Sequence, residues 1–389
     1  MSPILLTMKH LSPIILAENG PVLREAPRPP ELQQPGYDAA FDKRTLFYDT
    51  FIPAGGRKVR LLGPSLLNLE SELVGSRITV TRGDTYLEHV VQEDDIVSLR
   101  KIFRMDVPLP QNEAGDVFLK LESARLGTHE VQVRFNRVPA FTGRKVLFTL
   151  FKYEPLAWIR DWVEFNIRYH GADAVLLYNN DSPLYTTEEI AAGIADIPGL
   201  REAAVVEWSF PYGPGAYKDS KWDSNFCQFG VFDHARWRFL VRAAGVLNTD
   251  IDELLVTHDH RSIFDILEET PSGFLRFEGN WVTGARELDM ARPVEERRHR
   301  DYDLMGGDSW DDSFSGKWAV VPRKTRPRQQ WCTHFITGKD NQFVPREEMF
   351  VRHFCNINMN WKKDRSGPLL NERSDTALIE AYRRVGWRD

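Results

Sequence analysis

The chain has few cysteines and no excess of basic residues. Its three cysteines, Cys227, Cys332 and Cys355, form no C-x-x-C pair. A small, odd number of scattered cysteines argues against a disulfide framework or a structural zinc site and favours a reducing compartment. The formal net charge is −6, so the basic footprint of a nucleic-acid-binding chain is missing. We therefore expect no nucleic-acid partner.

Long apolar runs are also missing. No stretch approaches the ~18 apolar residues that a membrane span requires. The apolar N-terminus is interrupted by Pro3, Lys9, His10 and Pro13, which makes it a poor signal peptide. We expect a cytoplasmic protein, with peripheral association with the inner face of a membrane as an open option.

The sequence pattern divides the chain into a short lead-in, a β-rich segment and an α/β segment. Residues 1–36 indicate an extended lead-in, since prolines crowd positions 21–35. In residues 37–142, short strand-like runs alternate with turn formers such as Gly55-Gly56 and Gly83-Asp84. Many short strands without a long amphipathic helix predict a β-sandwich-like domain.

The pattern changes near residue 143. Lys145–Phe151 is a continuous apolar run, typical of a strand buried on both faces. Thr186-x-x-Glu189 is a capping-box pattern, residues 224–244 predict a long helix, and Gly245–Asn248 predicts a strand. Strands that alternate with helices predict an α/β domain over residues 143–389 with a mostly parallel, doubly wound, Rossmann-like sheet.

Polar residues follow three of these strands. They are the loop after Lys145–Phe151, Asn179 to Asp181, and Asp250-x-Asp252. In open α/β sheets, ligands bind at the carboxyl ends of the strands. A D-x-D at that position can hold Mg²⁺ or Mn²⁺ together with substrate phosphates. A lone D-x-D is more often a solvated turn or a helix cap, but here it follows a βαβ run.

Five motifs then occur in order over roughly residues 145–365, and together they resemble glycosyltransferase family 92 and its bacterial family-2-like relatives. The motifs are Lys152-x-Glu154 followed by Trp158-x-x-x-Trp162-x-Glu164 and His170-Gly171; residues 178–182 (YNNDS); Gln228; residues 249–254 (TDIDEL); and Lys317-x-x-Val320-x-Pro322 followed by His334. The chain departs from the family at Phe165, where a Tyr-His pair is relaxed, and at Leu254, a position that is usually aromatic.

The resemblance implies a GT-A fold and an enzyme that uses a UDP- or GDP-linked sugar. It implies a metal-assisted, inverting transfer to a glycan or glycolipid, as in surface polysaccharide synthesis. One alternative is a carbohydrate-binding or scaffold protein with a degenerate transferase domain. Another is a nucleotidyltransferase, although residues 148–155 contain no glycine for a phosphate loop. The resemblance does not explain the N-terminal half, and the oligomeric state stays open.

The resemblance also assigns residues. Thr149, Glu154, Asn179 and Asp181 would lie beside the nucleoside, although strand-end, helix-cap and turn roles explain the same residues equally well. Gln228, in a motif that precedes the D-x-D, would also contact the nucleotide sugar.

The implied cofactor is Mn²⁺ or Mg²⁺. Asp252 would be the principal ligand, with Asp250 facing the ribose or the metal, and Glu253 would support the loop. His353 is a second candidate ligand, and His334 competes for that role. Lys362 would pair with the diphosphate, or else belong to a solvated basic tail.

The general base is the most open assignment. An inverting transfer needs a carboxylate that takes the proton of the attacking hydroxyl. Glu278 and Asp311 are the candidates that we favour, the second because it neighbours Trp310. His258-Asp259-His260 imitates a metal cluster, but no third ligand is near in sequence, so a surface loop is the better interpretation.

Overall fold

A computed structural model describes residues 3–9, 11–111, 114–215, 223, 225–284, 293, 296–305, 316–354, 357 and 373–389. The strands in chain order are β1 (Ile4–Met8), β2 (Ile14–Ile15), β3 (Thr45–Phe47), β4 (Asp49–Ile52), β5 (Lys58–Pro64), β6 (Arg77–Arg82), β7 (Thr85–Val90), β8 (Val97–Ser98), β9 (Ile102–Pro108), β10 (Val117–Ser123), β11 (Gly127–Phe135), β12 (Lys145–Phe151), β13 (Ala174–Asn179), β14 (Glu202–Glu207), β15 (Gly245–Asn248), β16 (Glu253–Thr257), β17 (Phe274–Phe277), β18 (Gly279–Gly284), β19 (Leu304–Met305), β20 (Lys317–Val320), β21 (Met349–Phe354) and β22 (Arg373–Ser374).

The α-helices are α1 (Tyr37–Ala40), α2 (Leu69–Leu73), α3 (Val138–Phe141), α4 (Leu156–His170), α5 (Thr187–Ile194), α6 (Phe226–Ala235), α7 (Ile263–Glu269) and α8 (Thr376–Arg384). A π-helical segment, Arg236–Leu240, continues α6. Short 3₁₀ turns lie at Pro30–Leu32, Glu93–Asp95, His299–Asp301 and Pro322–Lys324.

The chain divides into two compact units. Unit 1 comprises Met1–Lys9, Ala140–Trp208 and Arg242–Asp389, and unit 2 comprises His10–Pro139 and Ser209–Val241. These limits differ from the predicted segments 1–36, 37–142 and 143–389 in three places. Residues 10–36 of the predicted lead-in belong to unit 2. The first strand, β1, belongs to unit 1, and the segment that carries α6 belongs to unit 2.

Unit 1 is built on a seven-stranded mixed sheet in the order β1-β14-β13-β12-β15-β20-β17. Strands β1, β14, β13, β12 and β15 are parallel, and β20 runs antiparallel between β15 and β17. The α/β prediction is therefore confirmed at the level of a mixed sheet with helices. The prediction missed β1 as an edge strand, which pairs Ile4–Met8 with β14.

Local sequence explains the elements beside the central strand. Val146, Leu147 and Phe148 of β12 are fully buried, as expected for an apolar run inside a parallel sheet. Helix α4 follows Pro155 and ends at Gly171, whose φ of 67° favours a residue without a Cβ. The predicted capping box at Thr186 is present at the start of α5.

A smaller sheet in unit 1 has the order β16-β21-β18-β19-β22. Strand β16 begins at Glu253, directly after the D-x-D motif, and pairs antiparallel with β21. Strand β18 pairs parallel with β21 on its other side. This sheet therefore brings three distant segments of the chain to the end of β15.

Unit 2 contains one curled sheet of eight strands, in the order β7-β6-β10-β11-β4-β5-β9-β8. The predicted β-rich character of this part of the chain is therefore confirmed. A parallel pairing of β11 with β4, at Arg134↔Phe51 and Phe135↔Ile52, joins what would otherwise be two antiparallel sheets. Its apolar core includes Leu61, Ile78 and Leu119.

The predicted helix over residues 224–244 is shorter than expected. Helix α6 covers Phe226–Ala235, and the π-helical segment ends at Leu240. Gly230 of α6 lies against Tyr48 of unit 2, and a Cβ there would come within 2.5 Å of the tyrosine ring. Among the described residues, no helix combines the length and the apolar character that crossing a membrane requires.

Candidate functional site

The order of the parallel strands reverses at β12. The chain runs from β12 outward through β13 to β14, and then returns to add β15 on the other side of β12. Loops that leave neighbouring strands in opposite directions open a crevice at the carboxyl ends of those strands, where α/β proteins bind ligands. By this rule, the ligand-binding edge of the sheet lies after Phe151 and Asn248.

Acidic residues follow both of these strands. Glu154 comes after β12 and is buried, with 7% of its surface exposed. Asp250, Asp252 and Glu253 come after β15, and Asp252 and Glu253 are buried as well. The turn is held locally, because the backbone N–H of Asp250 donates to the carboxylate of Glu253 at 2.8 Å.

Two buried side chains hold the D-x-D turn in place through hydrogen bonds. The indole N–H of Trp162 on α4 donates to the hydroxyl of Thr249 at 3.2 Å. His299 Nε2 donates to the carbonyl of Ile251 at 2.8 Å. The turn is therefore fixed by packing before any ligand arrives, which is how a preorganised binding site is built.

Strand pairing brings His353 to the same turn. His353 lies opposite Glu253 in the β16–β21 ladder. Its Nε2 atom lies 3.1 Å from Asp252 Oδ2, and its Nδ1 atom lies 3.6 Å from Glu253 Oε1. Trp281, its neighbour on β18, stacks on the imidazole with ring centroids 4.2 Å apart.

Asp252, Glu253 and His353 can each offer one ligand atom to a metal ion, and these atoms lie within 4.8 Å of one another. Two carboxylates and an imidazole suit Mn²⁺ or Mg²⁺ with further ligands from a substrate. The predicted ligands Asp252 and His353 thus lie together. Glu253, expected only to support the loop, joins them.

Asp250 is paired differently. Its carboxylate lies 2.6 Å from Lys317 Nζ, and the same ammonium lies 3.1 Å from Glu253 Oε2. Burial alone would lower the pKa of Lys317. The negative charges of Asp250 and Glu253 have the larger effect and raise the lysine pKa. Lys317 therefore stays charged and holds both carboxylates on the side of the turn that faces β20.

The site contains more acidic than basic side chains. Burial, and then the charges of Asp252 and Asp250, hold the pKa of Glu154 well above its usual value. Burial also raises the pKa of Glu253 to about 7, even though Lys317 opposes the shift. Four carboxyl groups share one lysine and one histidine, so an added cation would relieve repulsion among them.

Glu154 provides a second sign of a missing partner. Its Oε2 atom is buried and has no hydrogen-bond partner among the described residues. A buried polar atom without a partner costs about 1–3 kcal/mol. The residues present therefore fit a divalent cation or a donor group of a ligand in the crevice.

The predicted nucleoside residues of unit 1 lie at the same sheet edge. Thr149 is buried in β12, and Asn179 ends β13 opposite Phe151. Asn179 is already engaged, since its side-chain oxygen accepts from the backbone N–H of Ser182 at 3.0 Å. Asp181 is exposed and has a left-handed backbone with φ of 55°.

Gln228 and Glu278 have other surroundings. Gln228 belongs to unit 2, on α6, where its side-chain oxygen accepts from Tyr212 at 3.2 Å. Glu278 joins β17 to β18, is half-exposed and lies 3.7 Å from an Arg346 nitrogen. Asp311 and Lys362 lie outside the described residues. The roles assigned to these four residues stay predictions.

The structure describes the surroundings of the other histidines that were considered as metal ligands, His334 and His258. His334 Nδ1 donates to the carbonyl oxygen of Gly316 at 2.9 Å, and burial, followed by the charge of Lys317, lowers the pKa of His334 to about 4. Within the described residues it does not join the metal-compatible group. His258 and Asp259 are exposed after β16, as the surface-loop interpretation predicts.

A scan against protein-family models matched no family, and a search of curated proteins found no match.

The sequence alone did not predict that Glu253 joins the metal-compatible group or that Lys317 forms ion pairs. The lysine belongs to the Lys317-x-x-Val320-x-Pro322 motif, which carries part of the family resemblance. A buried lysine on a strand that neighbours the D-x-D strand would have been a usable signal, because a buried cation needs an acidic partner.

Proposed function

We propose that this chain is a metal-assisted glycosyltransferase that moves a sugar from a nucleotide-sugar donor to a glycan or glycolipid. The observation that carries the proposal is the buried acidic group of Asp252 and Glu253 with His353, at the carboxyl ends of β12 and β15. A crevice at a strand-order reversal suits a nucleotide. The five ordered motifs add the sugar-transfer chemistry to this proposal.

We propose a GT-A fold on related grounds. Unit 1 alternates strands and helices from β12 to β15, reverses its strand order at β12 and presents Asp250-x-Asp252 at the end of β15. The smaller sheet then supplies His353 from a late segment of the chain. These features support a nucleotide-sugar domain more than a general scaffold.

In the proposed site, Asp252, Glu253 and His353 would hold Mn²⁺ or Mg²⁺. A bound cation would supply positive charge beside the diphosphate of the donor. Lys317 contacts the carboxylates of Asp250 and Glu253 and orients both of them. Thr149, Glu154 and Asn179 line the same sheet edge and would contact the nucleoside.

The transfer itself makes one bond and breaks one. An acceptor hydroxyl oxygen bonds to the anomeric carbon while the bond from that carbon to the diphosphate oxygen breaks, which inverts the configuration. The hydroxyl proton passes to a carboxylate, for which Glu278 and Asp311 remain the candidates. We also propose a role in surface polysaccharide synthesis, with the enzyme cytoplasmic or resting on the inner face of a membrane.

A donor screen tests the proposal. Thermal unfolding is measured with a panel of UDP- and GDP-sugars, in Mn²⁺ and in EDTA, for the wild type and for Asp252→Asn. A ligand at about 100 times its dissociation constant stabilises by ~2.7 kcal/mol. We expect stabilisation only with Mn²⁺ and only in the wild type.

Two other outcomes would overturn it. Equal stabilisation in EDTA would contradict the metal-assisted site. Stabilisation by oligosaccharides but by no nucleotide sugar would favour the carbohydrate-binding alternative.

A further inference from the structure

Trp237 of unit 2 is surrounded by guanidinium groups. It lies in the π-helical segment that continues α6, and its ring is half-buried. The Cζ atoms of Arg60, Arg236 and Arg104 lie 4.4, 4.5 and 5.2 Å from the ring centroid. π-Helical turns are rare and frequent at functional sites, so this cluster of four residues merits a functional explanation.

Strand register explains why the two sheet arginines converge. Arg104 on β9 pairs with Leu62 on β5, two residues beyond Arg60. Residues two apart on a strand point to the same face of the sheet. Arg60 and Arg104 therefore lie on one face, the face on which Trp237 contacts them.

Carboxylates fix part of the cluster. Asp106 accepts from Nε and Nη2 of Arg60, each at 2.8 Å, and also pairs with Lys58. Asp233 lies 3.4 Å from Arg104. The paired fork of Arg60 leaves its remaining nitrogen, Nη1, directed elsewhere.

Two buried donors in this cluster have no partner among the described residues. They are Arg60 Nη1 and the indole Nε1 of Trp237. Leaving such a donor unpaired costs about 1–3 kcal/mol, and more when the group is charged. Native structures rarely leave buried donors without a protein, water, ion or ligand partner, and here the two donors belong to side chains that contact each other.

The charge of the surroundings favours an anion over a water molecule. Burial lowers the pKa of Arg236 to about 10. The charge of Asp233 opposes this shift, whereas the charges of Arg104 and Arg60 add to it. A negative group would offset this repulsion, while a neutral water would not. Arginine also suits the planar or tetrahedral oxygens of carboxylate and phosphate.

We propose that Arg60 and Trp237 bind a compact oxyanion, a phosphate or carboxylate group, with Arg104 and Arg236 supplying charge. The half-buried ring of Trp237 gives the site an opening to solvent. This inference concerns unit 2 alone and does not depend on the proposed sugar transfer.

The test uses the full chain without metal or nucleotide. Inorganic phosphate and acetate are titrated by calorimetry, with KCl at matched ionic strength as the control for general screening. We expect saturable binding of one of the two anions, with a stoichiometry near one, and no comparable signal from KCl. Phosphate binding without acetate binding would identify a phosphate group as the source, and the reverse would identify a carboxylate.

Variants locate the site. Trp237→Phe removes the indole N–H but keeps an aromatic ring, and Arg60→Gln removes the guanidinium. Loss of one hydrogen bond to a charged group should weaken anion binding by roughly 10- to 100-fold. Arg44→Gln, a half-exposed arginine of the same unit, should bind like the wild type.

Two results would overturn the proposal. One is a wild-type protein that binds neither anion beyond the KCl control. This outcome is read from the wild type alone, so it does not depend on the folding of any variant. The other is a folded Trp237→Phe protein that binds as tightly as the wild type.

Discussion

The two units both bury charged side chains, but they treat them in opposite ways. In unit 2, Asp49 is fully buried and accepts from Ser12 N at 2.7 Å and Thr50 N at 3.0 Å, with His234 Nε2 at 2.9 Å. Burial opposes its ionisation, yet Arg238 and His234 hold its pKa below the usual value. Its partners are complete within the protein.

In unit 1, Glu154 shows the opposite balance. Its pKa is raised by burial and by the like charges of Asp252 and Asp250, and one of its oxygens has no partner among the described residues. The comparison teaches that burial of charge does not by itself mark a site. A carboxylate surrounded by donors stabilises the fold, while one surrounded by other carboxylates at a strand end needs a ligand.

The largest effect should come from Asp252→Asn. Loss of a charged ligand should weaken Mn²⁺-dependent donor binding by about 10³-fold, since metal charge stabilisation is worth several kcal/mol. Metal-free stability should stay nearly unchanged, because the lost contact with His353 is offset by less repulsion around Glu154. Calorimetric donor titration and thermal unfolding measure the two quantities.

The matched control is Asp259→Asn, in the exposed turn after β16. It should leave both quantities unchanged. If Asp252→Asn lowers the free energy of unfolding without metal by as much as it lowers the free energy of donor binding, Asp252 stabilises the fold as Asp49 does and is not specific to a ligand.

Lys317→Met should give the largest loss of stability in unit 1. It leaves Asp250 and Glu253 without their shared cation, and breaking a buried ion pair costs about 3–5 kcal/mol. Urea denaturation measures the change. Lys145→Met, which removes a partly exposed lysine paired with Asp265, should cost less than about 1 kcal/mol. Equal losses for the two variants would contradict the importance that we give to Lys317.

Asp49→Asn should affect stability without affecting donor binding. Removing the carboxylate charge takes away the ion-pair interaction that Asp49 makes with Arg238 and His234, which should cost about 2–3 kcal/mol. Asp38→Asn, at an exposed ion pair, is the control with little effect. A change in Mn²⁺-dependent donor affinity for Asp49→Asn would break the distinction between the two units.

The smallest effect concerns pH. Burial raises the pKa of Glu202, at the start of β14, to about 7, although Arg144 opposes the shift. The folded state therefore holds a proton that the unfolded state has lost, so stability falls as pH rises from about 4.5 to 7. Glu202→Gln should remove this fall and stabilise the protein at pH 8 by about 1–2 kcal/mol, after discounting for screening.

Denaturation at pH 5 and pH 8 measures this difference. Glu188→Gln should leave the difference between pH 5 and pH 8 unchanged and should act only at lower pH, because a hydrogen bond from Lys9 lowers the pKa of Glu188 to about 2. Its contribution is present above about pH 4.5 and is lost as pH falls. A Glu202→Gln protein with the same pH dependence as the wild type would show that Glu202 is well solvated.

Local features of the fold could be predicted from the sequence. Lys145–Phe151 and Gly245–Asn248 form strands with the predicted bounds, and Thr186 caps its helix. These features depend on side chains near one another in sequence. The single curled sheet of unit 2 could not be predicted, since it depends on the long-range pairing of β11 with β4.

The candidate site shows the same limit. Motif order indicated Asp252, and the implied GT-A fold suggested His353; strand pairing places the two side chains 3.1 Å apart. Glu253 and Lys317 were missed as partners because their contacts form between β16, β20 and β21, far apart in the chain. Residues 224–244 were assigned to the α/β half, but no local pattern reveals that α6 belongs to unit 2.

Release of nucleoside diphosphate from a nucleotide sugar tests the central claim most directly. The full chain is incubated with a panel of donors in Mn²⁺ or in excess EDTA, with and without candidate glycan acceptors. We expect release from one class of donor in Mn²⁺, faster with an acceptor, and none above background in EDTA or with Asp252→Asn. Wild-type rates in EDTA, or equal rates for the Asn variant, would contradict a metal-assisted transferase built on Asp252, Glu253 and His353.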